Sequence, residues 1–265
     1  MKNTTRTALI TGASAGIGAA FARHLAAEGY SLLLVARRVE RLQELAAELT
    51  AKHGVRCDVF AADLNDPAAP AAIMAFAEAR GIAIDVLINN AGLSGKTAFA
   101  DTPWPKLAAE IQLMVTAVTE LCHRVLPGMR ARGWGRIVNL SSLAAFSPPG
   151  ASLLYTGIKR YVLDMSQSLD MELKPQGINV TALCPGFTHS EFHDTMGTRE
   201  AADKLPALLW QEADEVVREG WDSVMKGKPV CVPGTVNKLV AGGMRPLPVA
   251  LQYHIGSRLN PFKSN

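Results

Sequence analysis

An apolar run over residues 7–11 leads straight into Thr11-Gly12-Ala13-Ser14-Ala15-Gly16-Ile17-Gly18, and this start constrains the fold more than any other part of the chain. Behind it Phe21, His24 and Leu25 recur at helical spacing, and Gly29 supplies a stop. Strand, glycine turn and helix, in that order, form the unit in which N–H groups at a helix start cradle a pyrophosphate. Gly12 permits the tight turn, Gly16 allows close backbone approach, and Gly18 lets the helix pack on the strand. The spacing is Gly-x-x-x-Gly-x-Gly and not the Gly-x-Gly-x-x-Gly of the general dinucleotide fingerprint. On this segment alone, a glycine turn without nucleotide stays open.

The rest of the chain alternates. Strand-like runs at 31–36, 57–61, 83–89, 135–140, 178–183 and 229–232 are separated by helical patterns at 39–52, 67–80, 103–132 and 152–173. Such alternation predicts an α/β fold: one Rossmann-type, doubly wound, mostly parallel sheet with helices on both faces. Right-handed crossovers then carry the glycine-bearing strand ends to one edge. No linker, repeat or low-complexity tract divides residues 1–265, so the expectation is a single domain. Cys57, Cys122, Cys184 and Cys231 lie singly in apolar stretches, which fits buried thiols in a reducing compartment better than disulfides or metal ligands. No apolar segment follows Met1-Lys2-Asn3 and no run reaches spanning length, so the expected location is cytoplasmic.

A second constellation carries proton chemistry. Tyr155 and Lys159 stand four apart in Tyr155-Thr156-Gly157-Ile158-Lys159, on one face of a helix, and Ser142 lies on a separate loop. A tyrosine of ordinary pKa, about 10, is almost wholly protonated at neutral pH, and a lysine charge one turn away is expected to favour its anion. The serine hydroxyl can hold a carbonyl oxygen near the phenol. The bare pair is also common on amphipathic helices as a half-buried ring beside a solvated lysine.

Taken together, these segments resemble the short-chain dehydrogenase/reductase family, in its short single-domain branch. The resemblance rests on the turn at residues 11–18, on Asn89-Asn90-Ala91-Gly92, on the Ser142, Tyr155, Lys159 set and on the Pro185-Gly186 step, in register over residues 7–192. It implies an NADP(H)-dependent oxidoreductase that reduces a carbonyl, with Ser142, Tyr155 and Lys159 catalytic and Tyr155 as proton donor. The cofactor contacts it implies are Gly12, Ser14, Gly16, Ile17 and Gly18 on the turn, Arg37 and Arg38 after the second strand, Asp63 and Leu64 after the third, Asn90, Ala91 and Gly92 after the fourth, Tyr155 and Lys159, and Pro185, Gly186, Thr188 and Ser190 after the sixth. Family alignment puts Arg37 at the position that discriminates the 2′-hydroxyl from the 2′-phosphate. A guanidinium there favours NADPH or NADP+ over NAD.

One departure stands out. The family commonly carries an Asn four residues after the helix turn marked here by Glu110; it bends the helix and anchors a water reaching the lysine. Here that place holds Met114, whose thioether donates no hydrogen bond. The expectation is a surviving site with slower turnover, and the alternative is an NADP(H)-binding regulatory or scaffold protein.

Residues 186–221 include Phe187, Phe192, Met196, Leu205 and Trp210, which suit either a substrate lid over an apolar pocket or a packed core. An apolar ketone or 3-oxoacyl group is the preferred substrate. His189-Ser190-Glu191-Phe192-His193 matches no zinc spacing, so no metal is expected. A net charge of +3, scattered along the chain, argues against nucleic acid. The tail, 235–265, continues a stretch from Ser223 onward that is basic and free of acid. Packing in a homodimer or homotetramer, which the family builds through its two long helices, is its expected use ahead of membrane contact.

Overall fold

The computed structural model describes residues 6–93, 99–148, 153–189, 210–244 and 248–258. Its frame is a seven-stranded sheet of order β3-β2-β1-β4-β5-β6-β9, with every neighbouring pair parallel. The strands are β1 (Thr7–Thr11), β2 (Ser31–Ala36), β3 (Cys57–Ala61), β4 (Ile84–Asn89), β5 (Gly135–Leu140), β6 (Ile178–Leu183) and β9 (Val230–Cys231). A parallel pair needs a crossover, and helices supply it: α1 (Gly16–Ala27), α2 (Val39–His53), α3 (Ala69–Ala79), α4 (Trp104–Ile111), α5 (Ala117–Arg132), α6 (Leu153–Leu173) and α7 (Ala213–Met225). Two short strands, β7 (Phe187–Thr188) and β8 (Trp210–Gln211), pair separately, and α8 (Thr235–Met244) and α9 (Val249–Arg258) close the described chain.

Because both faces are covered, the strands read as unbroken apolar runs, and their period of two appears only in which core each residue enters. Ala8, Ile10, Leu32, Leu34, Val86, Ile88 and Val138 face one core, with Phe21 and Leu25 of α1, Leu42 and Leu49 of α2 and Trp221 of α7. Leu9, Leu33, Val35, Leu87 and Ile137 face the other, with Ile73 of α3, Leu121 and Val125 of α5 and Ile158 of α6. The chain reverses direction across the sheet between β1 and β4, where Leu9 pairs with Leu87 and Ile10 with Ile88. That reversal opens a crevice beyond the strands' C-terminal ends, and it places the site.

The expected strands and helices are present with ends shifted by a residue or two. The helix expected over residues 103–132 is instead three pieces: α4, a π-turn at Gln112–Thr116, and α5. In the basic stretch from Ser223 onward, Lys226 pairs with Asp222 at 2.9 Å and Lys238 with Glu219 at 2.7 Å, so two of its cations are neutralised locally. Among the described residues, no helix is long and apolar enough to cross a membrane.

Candidate active site

The glycine turn is built by steric necessity. Gly12 and Gly16 adopt φ of 64° and 53°, the left-handed region that favours glycine. Gly18 is needed for a different reason: a Cβ there would strike Gly12 O and come 2.6 Å from Asn90 Nδ2. The end of β4 fastens the turn. Thr11 Oγ1 accepts from Asn90 N (3.0 Å) and Ala91 N (3.1 Å), and Asn90 Nδ2 donates to Thr11 O (3.0 Å) and Gly12 O (3.2 Å). The Asn90 side-chain nitrogen thus holds the turn. Ile17 packs half-buried on the first core, while Leu64 is buried in the second with Ala91 against it.

Helix α1 begins with no side-chain cap on Ala15 and no acidic residue in its first turn. Its first N–H groups and the positive end of its dipole therefore face the crevice without a competing carboxylate, an arrangement that suits a phosphate. Beside it, Arg38 reaches across from the end of β2 and donates to Ser14 Oγ from Nη2 (3.2 Å) and Nε (3.4 Å). Arg37 turns the other way, with Nη1 3.9 Å from Asp63 Oδ2, both groups exposed. Asp63 also accepts from the backbone and side-chain nitrogens of Asn65. Of the two arginines, Arg38 is the one lying over the glycine turn.

At the ends of β5 and β6 the catalytic candidates meet. Ser142 opens a short 3-10 turn, Leu143–Phe146, and its Oγ accepts from Ala144 N at 3.1 Å. Leu143 N donates to Pro185 O at 2.8 Å, which ties this turn to the segment after β6. Tyr155 and Lys159 come from α6, with Lys159 Nζ 5.5 Å from the centre of the Tyr155 ring. Lys159 is buried, donates from Nζ to Leu140 O at 2.8 Å, and has its own carbonyl bonded by Ser141 Oγ at 2.7 Å.

The electrostatics correct one expectation. Burial pushes the Tyr155 phenol above its ordinary pKa, and the hydrogen bond with Ser142 pulls it down less strongly. Burial also lowers Lys159 to about 8, with Cys184 acting weakly in the other direction. In the chain by itself the phenol stays above its ordinary value because burial outweighs the Ser142 hydrogen bond. At neutral pH Tyr155 therefore keeps its proton.

Met114 sits in the π-turn, 1% exposed. A Cβ on Gly92 would lie 3.6 Å from Met114 Sδ and 3.8 Å from Lys159 Nζ, so thioether and ammonium flank the same glycine. The long helix is interrupted at this place even with methionine in it.

Thr188 is buried, with Oγ1 donating to Gly186 O at 3.3 Å. Ser190 lies outside the described residues, as do Glu191, Phe192, His193, Met196 and Leu205. His189 stacks on Trp210 with ring centres 4.5 Å apart, and no group of metal-ligating side chains occurs among the described residues. Sequence reasoning missed Gln211 and Asn237, whose amides join beside Gly186; neither stands in a recognisable motif.

Comparison with known proteins agrees with this fold. The model of the short chain dehydrogenase family matches residues 6–201. A serine 3-dehydrogenase of Agrobacterium fabrum is 37% identical over 207 residues, which cover 75% of this chain and 79% of that protein. A short-chain dehydrogenase from Sphingobium yanoikuyae, solved in complex with NADPH, superposes with a TM-score of 0.81 at 33% identity, covering 98% of each chain. A bulky-bulky ketone specific alcohol dehydrogenase from Comamonas testosteroni superposes with a TM-score of 0.76 at 31% identity, covering 94% of this chain and 97% of that one.

Proposed function

Since this chain belongs to the short chain dehydrogenase family, we propose that it reduces an apolar ketone or 3-oxoacyl group to an alcohol with NADPH. The observation that carries the reading is the convergence of Ser142, Tyr155 and buried Lys159 at the sheet edge that also holds the uncapped start of α1. The coenzyme, when bound, supplies a hydride; the chain supplies everything else.

The uncapped turn at Gly16–Gly18 would hold the pyrophosphate. Arg38 with Ser14, and Arg37 nearby, would hold the 2′-phosphate, since two arginines and no carboxylate stand directly after β2. Asp63 and Leu64 would border the adenine, and Asn90, Ala91 and Gly92 the nicotinamide ribose, which the Lys159 ammonium could also bond. Pro185, Gly186, Thr188 and Ser190 would face the carboxamide. During reduction the carbonyl oxygen gains negative charge; Ser142 orients it and Tyr155 gives it a proton, leaving the alcohol. The raised phenol pKa suits this direction, since the donor is loaded at neutral pH.

Replacement of Tyr155 by Phe tests the assignment. NADPH binding, followed by coenzyme fluorescence, should persist, and oxidation of NADPH against a ketone panel should fall about a thousandfold. Undiminished turnover would remove the phenol from its role. Met114 beside the ammonium favours a second reading, a nucleotide-binding protein with little turnover. Wild-type chain that binds NADPH and reduces nothing on the panel would establish that reading instead.

A further inference from the structure

We infer that Asn237 is a positioning residue: from α8 it clamps Gly186 and the β7–β8 pair, so that the C-terminal helix sets the geometry of the reductase site. The inference rests on the reductase reading above for its functional half and on geometry alone for its structural half. Asn237 is 4% exposed, and a carboxamide is buried at a cost unless its polar atoms are bonded. Its Nδ2 donates to Pro233 O (3.0 Å), one turn back, and to Gln211 Oε1 (2.7 Å), twenty-six residues away. A carboxamide donates through one end and accepts through the other, so with the Gln211 amide reversed the two side chains stay joined only when Asn237 turns with it, the Gln211 amide nitrogen then donating to Pro233 O (3.2 Å) and to the Asn237 oxygen.

The clamp grips three segments. Asn237 lies flat against Gly186, where a Cβ would come 2.6 Å from Asn237 Oδ1. Gln211 belongs to β8, which pairs with β7 through Phe187 with Trp210 and Thr188 with Gln211, extended by His189 N donating to Gln211 O at 3.0 Å. Gln211 also packs on Gly234, whose φ of 81° and tight surroundings exclude a side chain. The base of α8 is fixed in turn: Gly234 N donates to Glu219 Oε1 (2.9 Å), and Lys238 pairs with Glu219 Oε2 (2.7 Å). From Gly186 the path to chemistry is short, since Pro185 O holds Leu143 N on the turn that begins at Ser142. A merely structural anchor for α8 would not need the bond to Gln211.

The test compares wild type with Asn237→Ala. Amide hydrogen exchange of His189 should become at least tenfold faster while exchange in β1 is unchanged. At saturating NADPH, kcat/KM for the carbonyl should fall at least tenfold, the loss lying in kcat. Unchanged exchange at His189 overturns the clamp, and faster exchange with undiminished kcat overturns the positioning role. Should Asn237→Ala not fold, Gln211→Ala removes the same bond from the half-buried side and carries the same two expectations. If wild type itself proves inactive toward carbonyls, the reductase reading falls, and the exchange comparison still decides whether Asn237 holds the β7–β8 pair.

Discussion

At the scale of single residues, the informative group is Lys159. Spacing in the sequence places it on the face of Tyr155, and the structure agrees, but spacing says nothing of what surrounds an ammonium. Only the packed chain shows it under Leu140 and beside Gly92, buried enough to lower its pKa to about 8. The sign of the consequence follows from linkage. Between about pH 8 and its ordinary 10.5, the unfolded chain binds this proton and the folded chain does not, so stability rises with pH across that window. Below about 8 the burial penalty is present in full. Compared with a Lys159→Met variant, wild type should therefore gain ~2–3 kcal/mol between pH 7 and pH 10, measured by urea unfolding of both. Titrations shared by the two proteins cancel in that difference. A constant gap would mean that the ammonium is solvated and that its site is open to water.

At the scale of elements, the glycine turn and the strand ends were legible because their chemistry is local. The interruption of the long helix was not. Buried positions run Leu107, Glu110, Leu113, Met114, Ala117, Val118, Leu121, Cys122, Val125 and Met129, and a helical period fits them throughout. A π-turn adds one residue to a single turn, and the adjacent buried pairs on either side absorb that offset without breaking the pattern. The end of β2 shows the same limit. Two consecutive arginines announce a phosphate, yet which of them crosses the turn depends on how α2 leaves the strand, and here Arg38 does so while Arg37 faces Asp63. Arg38→Ala should weaken NADPH binding by ~10–100-fold and leave NADH binding within a factor of about three, because a charged hydrogen bond to the 2′-phosphate contributes ~1.5–3 kcal/mol. Arg37→Ala should cost less. Coenzyme titrations followed by fluorescence rank the two, and a larger loss for Arg37 would return the discriminating role to the position that family alignment favours.

At the scale of the whole molecule, a buried polar net crosses the second core. Asn89 Nδ2 of β4 donates to Asn139 Oδ1 of β5 (2.9 Å), Asn139 Nδ2 donates to Ser166 Oγ of α6 (3.0 Å), and Cys122 of α5 lies 3.4 Å from Asn89 Nδ2 and 3.5 Å from Asn139 Oδ1. Buried polar groups are costly to leave unpaired, so these four elements should open only together. Cys122 reports on that event: it is 2% exposed, and burial pushes its thiol up to about 12, which removes the reactive thiolate. Cys231 is 5% exposed, but it stands on the two-residue edge strand β9, held by pairing with β6 on one side only. An edge of that length can detach while the rest of the sheet stays folded. Thiol labelling of native protein over a urea series should therefore modify Cys231 before Cys122. Cys122 should follow the global unfolding curve, and Cys231 should react through an opening that depends less on urea. Peptide mapping of the labelled chain separates them; identical urea dependence for both would make β9 an integral part of one cooperative sheet and tie the C-terminal helices to the stability of the entire fold.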